Sequence, residues 1–95
     1  MFVRLTHLQI LPEHEKEATK IYNEQVVPAV KQQKGNVDIM LLHPETETGD
    51  HISLTSWERK EDADAYEQSG NYQEMVGMVK HTFSKAPILV SYTVN

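Results

Sequence analysis

The sequence predicts an α+β domain of the ferredoxin-like βαββαβ type, with a four-stranded antiparallel sheet that carries its helices on one face. Its 95 residues suit a single domain, which we expect to span residues 1–95. Four segments have the alternation or the β-branched content of strands, and apolar residues recur at helical spacing between them. These segments follow the order strand, helix, strand, strand, helix, strand, without an internal repeat.

The first strand is predicted over residues 2–10, a run rich in β-branched and aromatic side chains. A helix follows from Pro12, a residue that suits the first helical position, to about Lys34. Pro28 lies inside this helix and is expected to kink it or to free a carbonyl group. Gly35 then provides a natural helix stop.

The middle of the chain predicts a β-hairpin over residues 37–57. Its polar connection ends in Gly49 and Asp50, which are typical turn residues. His43 and His51 flank this connection and could approach each other across the two strands. Because no carboxylate stands at a recognisable ligand offset from them in sequence, no metal site is predicted.

Helical spacing returns after Glu58, in segments that a break at Gly70 separates. Asn71 with Glu74 three residues later resembles a capping box, which would begin the second segment. The last strand is predicted over residues 88–94. The two helical regions of the chain are therefore expected to pack on the same face of the sheet.

The other face of the sheet is expected to lack a helical cover. From the first strand we assign Phe2, Leu8 and Ile10 to it, and such a face is too apolar to be left in water. The chain also has no cysteine with which to stabilise a small domain by disulfides. The simplest cover is a second copy related by a two-fold axis, so we predict a homodimer.

Charge and hydropathy exclude several classes of partner. The chain has 9 Lys and Arg against 14 Asp and Glu, a net charge of −5, whereas nucleic-acid binders carry a basic surface. The third predicted strand also lacks the basic-Gly-aromatic pattern of RNA-binding domains with this element order. No segment is apolar enough to span a bilayer, and the N-terminus lacks a signal-peptide pattern. We expect a cytoplasmic protein that binds neither nucleic acid nor membranes.

Three stretches carry a family resemblance: residues 27–39, residues 54–63 with the sequence Leu-Thr-Ser-Trp-Glu-Arg-Lys-Glu-Asp-Ala, and the set Tyr66, Ser69 and Tyr72. Together they resemble the antibiotic biosynthesis monooxygenase family, whose members are dimeric α+β barrels. The resemblance covers almost the whole chain. It implies a range of activities that includes cofactor-independent oxygenation of quinols and polycyclic aromatics, haem degradation and the processing of signal molecules.

Haem degradation can be tested on individual residues. The haem-degrading members use an Asn on the first strand, a Trp on the first short helix and a His on the last helix. The matching positions here are His7, Tyr66 and Val76. None of these residues fits, Val76 cannot ligate iron, and His81 lies about a turn and a half further along the helix. We therefore do not expect haem chemistry.

The predicted pocket lies between the sheet and the helices. We assign His7 to the pocket side as the catalytic base; the alternatives are a hydrogen-bonded core histidine and a pocket residue without a catalytic role. Trp57, the only tryptophan, is either a core anchor or a flat wall for an aromatic ligand. Tyr66 and Tyr72 can donate hydrogen bonds to a substrate oxygen or can pack in the core with their hydroxyls at the rim. Val76 completes the predicted substrate-binding set.

The sequence thus favours a cofactor-independent monooxygenase that acts on a small electron-rich aromatic, such as a quinol or a polycyclic phenol, together with O₂. Loss of a proton makes such a substrate a stronger reductant, and the protein would supply a base and a site without water. The alternative is a non-oxygenase protein of the same fold that binds, isomerises or detoxifies a small metabolite.

Overall fold

The computed structural model describes residues 1–95. Its strands are β1 (Phe2–Leu8), β2 (Asn36–Leu42), β3 (His51–Trp57) and β4 (Ile88–Thr93). Its helices are α1 (Glu15–Ile21), α2 (Val27–Lys31), α3 (Lys60–Glu67) and α4 (Gly70–Val79). The strands form one antiparallel sheet in the order β2-β3-β1-β4, which confirms the predicted ferredoxin-like α+β fold. None of the helices combines the length and the apolar content needed to cross a lipid bilayer.

A π-helical turn, Tyr22–Val26, joins α1 to α2. Pro28 is near the start of α2 and has no N–H to offer to the carbonyl four residues before it. Just ahead of Pro28, the Val27 N–H bonds to the carbonyl of Tyr22, five residues back. The interruption expected at Pro28 therefore takes the form of this turn, and both Tyr22 and Val26 are buried there.

Gly35 precedes β2 and has a φ of 80°, a conformation that favours glycine. A Cβ atom at this position would overlap the carboxylate of Asp62 on α3. The Gly35 carbonyl also accepts a hydrogen bond of 2.8 Å from the N–H of Glu58. The connection into β2 and the start of α3 are therefore packed directly against each other.

Ser69 is the N-cap of α4, because its Oγ accepts a hydrogen bond of 3.4 Å from the N–H of Tyr72. The predicted capping box of Asn71 and Glu74 is wrong, since the helix begins ahead of Asn71. The Ser69 hydroxyl also donates to the carbonyl of Tyr66 at 2.6 Å. One side chain therefore bonds both the end of α3 and the start of α4.

The face of β1 that packs on the helices is the opposite of the one predicted. Phe2 and Leu8 are each only 7% exposed, and Phe2 pairs with the buried Trp57 of β3. The prediction that His7 faces the helices is wrong, because alternation turns His7, together with Leu5, to the other side of the sheet. Both faces of this strand are apolar enough to be buried, so its alternation does not say which face is covered.

The side of the sheet away from the helices, which we call the open sheet face, is apolar and uncovered. Its apolar members are Val3, Leu5, Met40, Leu42, Ile52, Leu54, Ile88, Val90 and Tyr92. Ile88 and Tyr92 are 52% and 51% exposed. An uncovered apolar face was predicted, but Phe2 and Leu8 are not on it.

Candidate functional site

An apolar cavity of about 90 Å³ lies between the sheet and the helices, beside the buried core. The cavity is only partly enclosed. Fourteen of its 20 lining residues are hydrophobic. They come from all four strands, the π-helical turn, α2, α3 and α4, so the complete fold is needed to form the cavity.

Three aromatic side chains form one wall of the cavity. The rings of Trp57 and Tyr66 are stacked, with centroids 5.6 Å apart and planes inclined by 28°. Tyr72 meets Tyr66 edge-on, also with a centroid distance of 5.6 Å. Trp57 is the last residue of β3, Tyr66 lies on α3 and Tyr72 lies on α4, so the Ser69 cap positions two members of this wall. Such a wall offers flat surfaces to a planar ligand.

The polar atoms of this wall are hydrogen-bond donors at neutral pH. Burial raises the pKa of Tyr66 to about 12 and also raises the pKa of Tyr72, so both hydroxyls keep their protons. Trp57 is 1% exposed, and its Nε1–H has no hydrogen-bond partner. An unpaired buried donor costs free energy, so a ligand oxygen within its reach would be favoured.

Arg4 brings a positive charge from β1 into the lining of the cavity. Its side chain is 11% exposed. Nη1 donates to Glu67 Oε2 at 2.6 Å, Nη2 to Asp64 Oδ1 at 3.0 Å, and Nε to Ser91 Oγ at 3.1 Å. Hydrogen bonds from Lys60 and then from Arg4 lower the pKa of Asp64. A guanidinium group has five N–H donors, so Arg4 retains donors for a ligand.

Tyr22 and Ser53 form a second polar pair in the lining, with Oη and Oγ 2.7 Å apart. Tyr22 lies on the π-helical turn and Ser53 on β3, so their hydrogen bond joins the first helix to the sheet. Burial raises the pKa of Tyr22 to about 12, which keeps its hydroxyl neutral.

The structure brings together Trp57, Tyr66, Tyr72 and Val76, the residues predicted to bind substrate, in the lining of this cavity. It places His7 elsewhere. His7 lies on the open sheet face, with Nδ1 3.5 Å from Asp50 Oδ2, and it is not part of the lining. The prediction that His7 is on the pocket side is therefore wrong, because it assigned the two faces of β1 the wrong way round.

Sequence reasoning missed Arg4 and Glu67, the charged residues of the lining. One signal for them was present, because Arg4 is a lone charge in an otherwise uncharged strand. Asp64 and Glu67 also stand three residues apart on one helix, a spacing that lets both carboxylates reach the same cation.

The antibiotic biosynthesis monooxygenase family model matches residues 1–78. A Bordetella bronchiseptica structure, provisionally assigned to that activity, superposes with a TM-score of 0.88 at 16% identity, over 99% of this chain and 96% of its own. A Deinococcus radiodurans structure with the same provisional assignment gives 0.85 at 13% identity, over 100% and 93%. A conserved protein from Methanosarcina mazei Go1 gives 0.81 at 15% identity, over 97% and 91%.

No curated protein matches the chain. The structural neighbours named above are too distant in sequence to indicate more than a shared fold. The family model, in contrast, is matched by sequence over most of the chain. The chain therefore belongs to the antibiotic biosynthesis monooxygenase family.

Proposed function

We propose that the protein is a cofactor-independent monooxygenase whose substrate is a small electron-rich phenol or quinol bound in the apolar cavity. The observation that carries the proposal is the pairing of a flat aromatic wall, Trp57 and Tyr66, with the buried guanidinium of Arg4 in one cavity. The wall suits an aromatic ring, and the guanidinium suits an oxygen that becomes negative. Membership of a monooxygenase family supports the choice of reaction.

The size of the cavity narrows the substrate class. Its volume of about 90 Å³ is well below the roughly 300–1,000 Å³ of pockets that bind drug-sized ligands. A cavity of this size suits a single ring with small substituents. We therefore favour a one-ring phenol or hydroquinone over a polycyclic phenol.

Arg4 and Glu67 can together prepare such a substrate. A phenolate beside Arg4 is stabilised by the positive charge, which lowers the pKa of the bound hydroxyl. Glu67 lies 2.6 Å from Arg4 and lines the same cavity, so it is placed to accept the proton. This assignment replaces His7, which lies across the sheet.

The reaction balances without an external reductant. When a phenol becomes a quinone, the ring loses four electrons, one oxygen atom of O₂ enters the ring and the other leaves as water. The role of the protein is to form the phenolate, to hold the ring against the aromatic wall, and to keep bulk water from the reacting carbon.

Oxygen uptake tests the proposal. Purified protein is supplied with one-ring hydroquinones and phenols and, separately, with polycyclic phenols, and O₂ consumption is followed with an electrode. We expect uptake with one-ring substrates and a loss of about a hundredfold in kcat for Glu67→Gln. Asp64→Asn is the matched control, because Asp64 binds the same guanidinium but does not line the cavity. Equal losses in the two variants would contradict the role of Glu67.

One observation favours a non-oxygenase binding protein as the second candidate. The lining contains no histidine, and its only carboxylate, that of Glu67, is already paired with Arg4. Trp57 is the single tryptophan and forms part of the wall, so its fluorescence reports ligand binding. Saturable quenching by a phenol, without any O₂ uptake, would select this function over the oxygenase.

We also propose that a second copy of the chain covers the open sheet face. This face extends over all four strands and is apolar on each of them. Large apolar patches of this kind mark interaction surfaces, and a two-fold axis lets one such patch cover itself. The pairing would bury Leu5 together with His7, which gives His7 a place in an interface.

A further inference from the structure

A second cluster of reactive side chains, outside the lining of the cavity, consists of Glu15, His43 and His51. One potential ligand atom from each of these residues lies within 4.8 Å of the other two. His51 Nε2 is 3.6 Å from Glu15 Oε2, and the two imidazole rings have centroids 5.0 Å apart. The cluster thus joins two imidazoles and a carboxylate.

The fold explains why these residues meet although they are distant in the sequence. His43 directly follows β2 and His51 opens β3, so the hairpin places them side by side. Glu15 opens α1, and its carboxylate reaches the same place, with Oε2 3.6 Å from His51 Nε2. The hairpin was expected to bring the two histidines together, whereas the carboxylate comes from a helix that precedes them by almost 30 residues.

His51 is the informative member of the cluster. The residue is 6% exposed, and its Nε2 atom has no hydrogen-bond partner. Leaving a buried polar atom unpaired costs free energy, so this atom requires an explanation. A metal ion bound at Nε2 would give this buried atom a partner.

We propose that Glu15, His43 and His51 bind a divalent transition-metal ion. Two imidazoles and one carboxylate are the donor set of borderline cations such as Zn²⁺ and Fe²⁺, whereas Mg²⁺ and Ca²⁺ prefer oxygen donors alone. With three protein ligands, the remaining positions would be occupied by water or by an exogenous anion. The proposal does not depend on the proposed function, and the ion has no step in that reaction.

The three potential ligand atoms need to approach one another only slightly to reach the spacing found around a bound metal ion. In a tetrahedral zinc site with bonds of about 2.1 Å, ligand atoms are roughly 3.4 Å apart. His51 and Glu15 are already close to this separation, at 3.6 Å. Glu15 and His43 are exposed, so their side chains can rotate towards the fixed imidazole of His51.

A neighbouring cluster provides an internal comparison. Glu17 is hydrogen-bonded to His81 Nε2 at 2.7 Å and to His14 Nδ1 at 3.2 Å, so this cluster also consists of two histidines and one glutamate. In this cluster both histidines already have the Glu17 carboxylate as a partner, and the side chain of His81 is 51% exposed. It therefore lacks the buried unpaired nitrogen that distinguishes His51.

Metal titration of the whole chain tests the proposal. After dialysis against a chelator, the protein is titrated with Zn²⁺ by calorimetry and with Co²⁺ by visible absorption, and Mg²⁺ serves as the oxygen-preferring control. We expect one Zn²⁺ and one Co²⁺ per chain, no Mg²⁺, and a rise in the thermal midpoint with Zn²⁺. His43→Gln and Glu15→Gln, both at exposed positions, should each weaken Zn²⁺ binding by about tenfold or more.

The control variant is His81→Gln, which removes an exposed imidazole of the neighbouring cluster and should change Zn²⁺ affinity by less than about twofold. His51→Gln should abolish binding, but its side chain is buried, so the two exposed variants decide the test if it does not fold. The proposal is overturned if Zn²⁺ and Co²⁺ do not bind stoichiometrically, or if His81→Gln weakens binding more than His43→Gln and Glu15→Gln do.

Discussion

Arg4 on the inner strand β1 holds Glu67 on α3 through a hydrogen bond of 2.6 Å between Nη1 and Oε2. The two residues are 63 positions apart in the chain. The same guanidinium binds Asp64 one helical turn earlier and Ser91 on β4. Arg4 therefore connects α3 to the sheet beside the cavity. The position of Tyr66, the member of the aromatic wall that lies on α3, depends on this connection.

Arg4→Lys should destabilise the fold even though it keeps the positive charge. A lysine ammonium has its donors on one atom and cannot reproduce the planar fork that reaches three partners. We expect the free energy of unfolding to fall by about 1–2 kcal/mol, measured by urea denaturation. Arg59→Lys is the control, because Arg59 is 62% exposed, and its effect should be below about 0.5 kcal/mol. If Arg4→Lys and Arg59→Lys lower the free energy of unfolding equally, the planar guanidinium of Arg4 does not stabilise the fold.

Gly35→Ala and Gly77→Ala should have opposite effects on stability. At Gly35 the backbone has a positive φ and a Cβ would overlap Asp62, so we expect a loss of about 2 kcal/mol. At Gly77, within α4, nothing lies within 4 Å of the added Cβ. There the higher helix propensity of Ala should stabilise the fold by about 0.5–1 kcal/mol. Thermal denaturation of both variants measures their stability relative to the wild type. A higher thermal midpoint for Gly35→Ala would contradict the prediction.

Stability should fall as the pH rises from about 10 towards 12. Burial raises the pKa of both Tyr22 and Tyr66 to about 12, whereas tyrosines of the unfolded chain ionise near 10. The folded state therefore binds more protons in this window, and deprotonation of the unfolded chain draws the equilibrium away from it. Urea midpoints measured across this range should decrease, and they should decrease less steeply in the Tyr22→Phe and Tyr66→Phe variants. If the urea midpoint falls with pH as steeply in both variants as in the wild type, Tyr22 and Tyr66 are not the groups responsible. Tyr92→Phe, at an exposed position, is the control.

Leu5→Asp should convert the proposed homodimer to a monomer. Leu5 lies on an inner strand at the centre of the open sheet face, where a charge would be buried in the paired state. Sedimentation equilibrium should give twice the chain mass for the wild type and the single mass for Leu5→Asp. Ala65→Asp adds the same charge at an exposed helical position and should leave the mass doubled. A wild type that sediments as a monomer would refute the pairing itself.

The sequence was sufficient for the order of the elements but not for the orientation of the first strand. Residues 51–57 were predicted as a strand and coincide with β3, because turn residues bound this segment clearly. For β1, Phe2 and Leu8 compete with Val3 and Leu5 for burial, and both pairs are apolar. Arg4 shares a face with Phe2 and Leu8, and its three contacts with α3 and β4 exist only in the folded chain.

The residues of the candidate site were also only partly predictable from the sequence. Trp57, Tyr66 and Tyr72 could be identified because large aromatic residues near a strand end and a helix break are few in this chain. For Glu67 the sequence offered only its three-residue spacing from Asp64, and charged residues are frequent on exposed helix faces. Its position beside the cavity depends on a hydrogen bond from Arg4, a residue 63 positions away in the chain.

Alternation along β1 gives the two sides of the sheet separate chemical tasks that can change independently. Arg4 and Thr6 line the cavity, while Leu5 between them belongs to the open sheet face. A substitution at an even position of this strand can alter which molecule the cavity accepts without touching the surface that would meet another subunit. The lining of the cavity can therefore diversify during evolution, or be redesigned in the laboratory, while the surface proposed for subunit association stays unchanged.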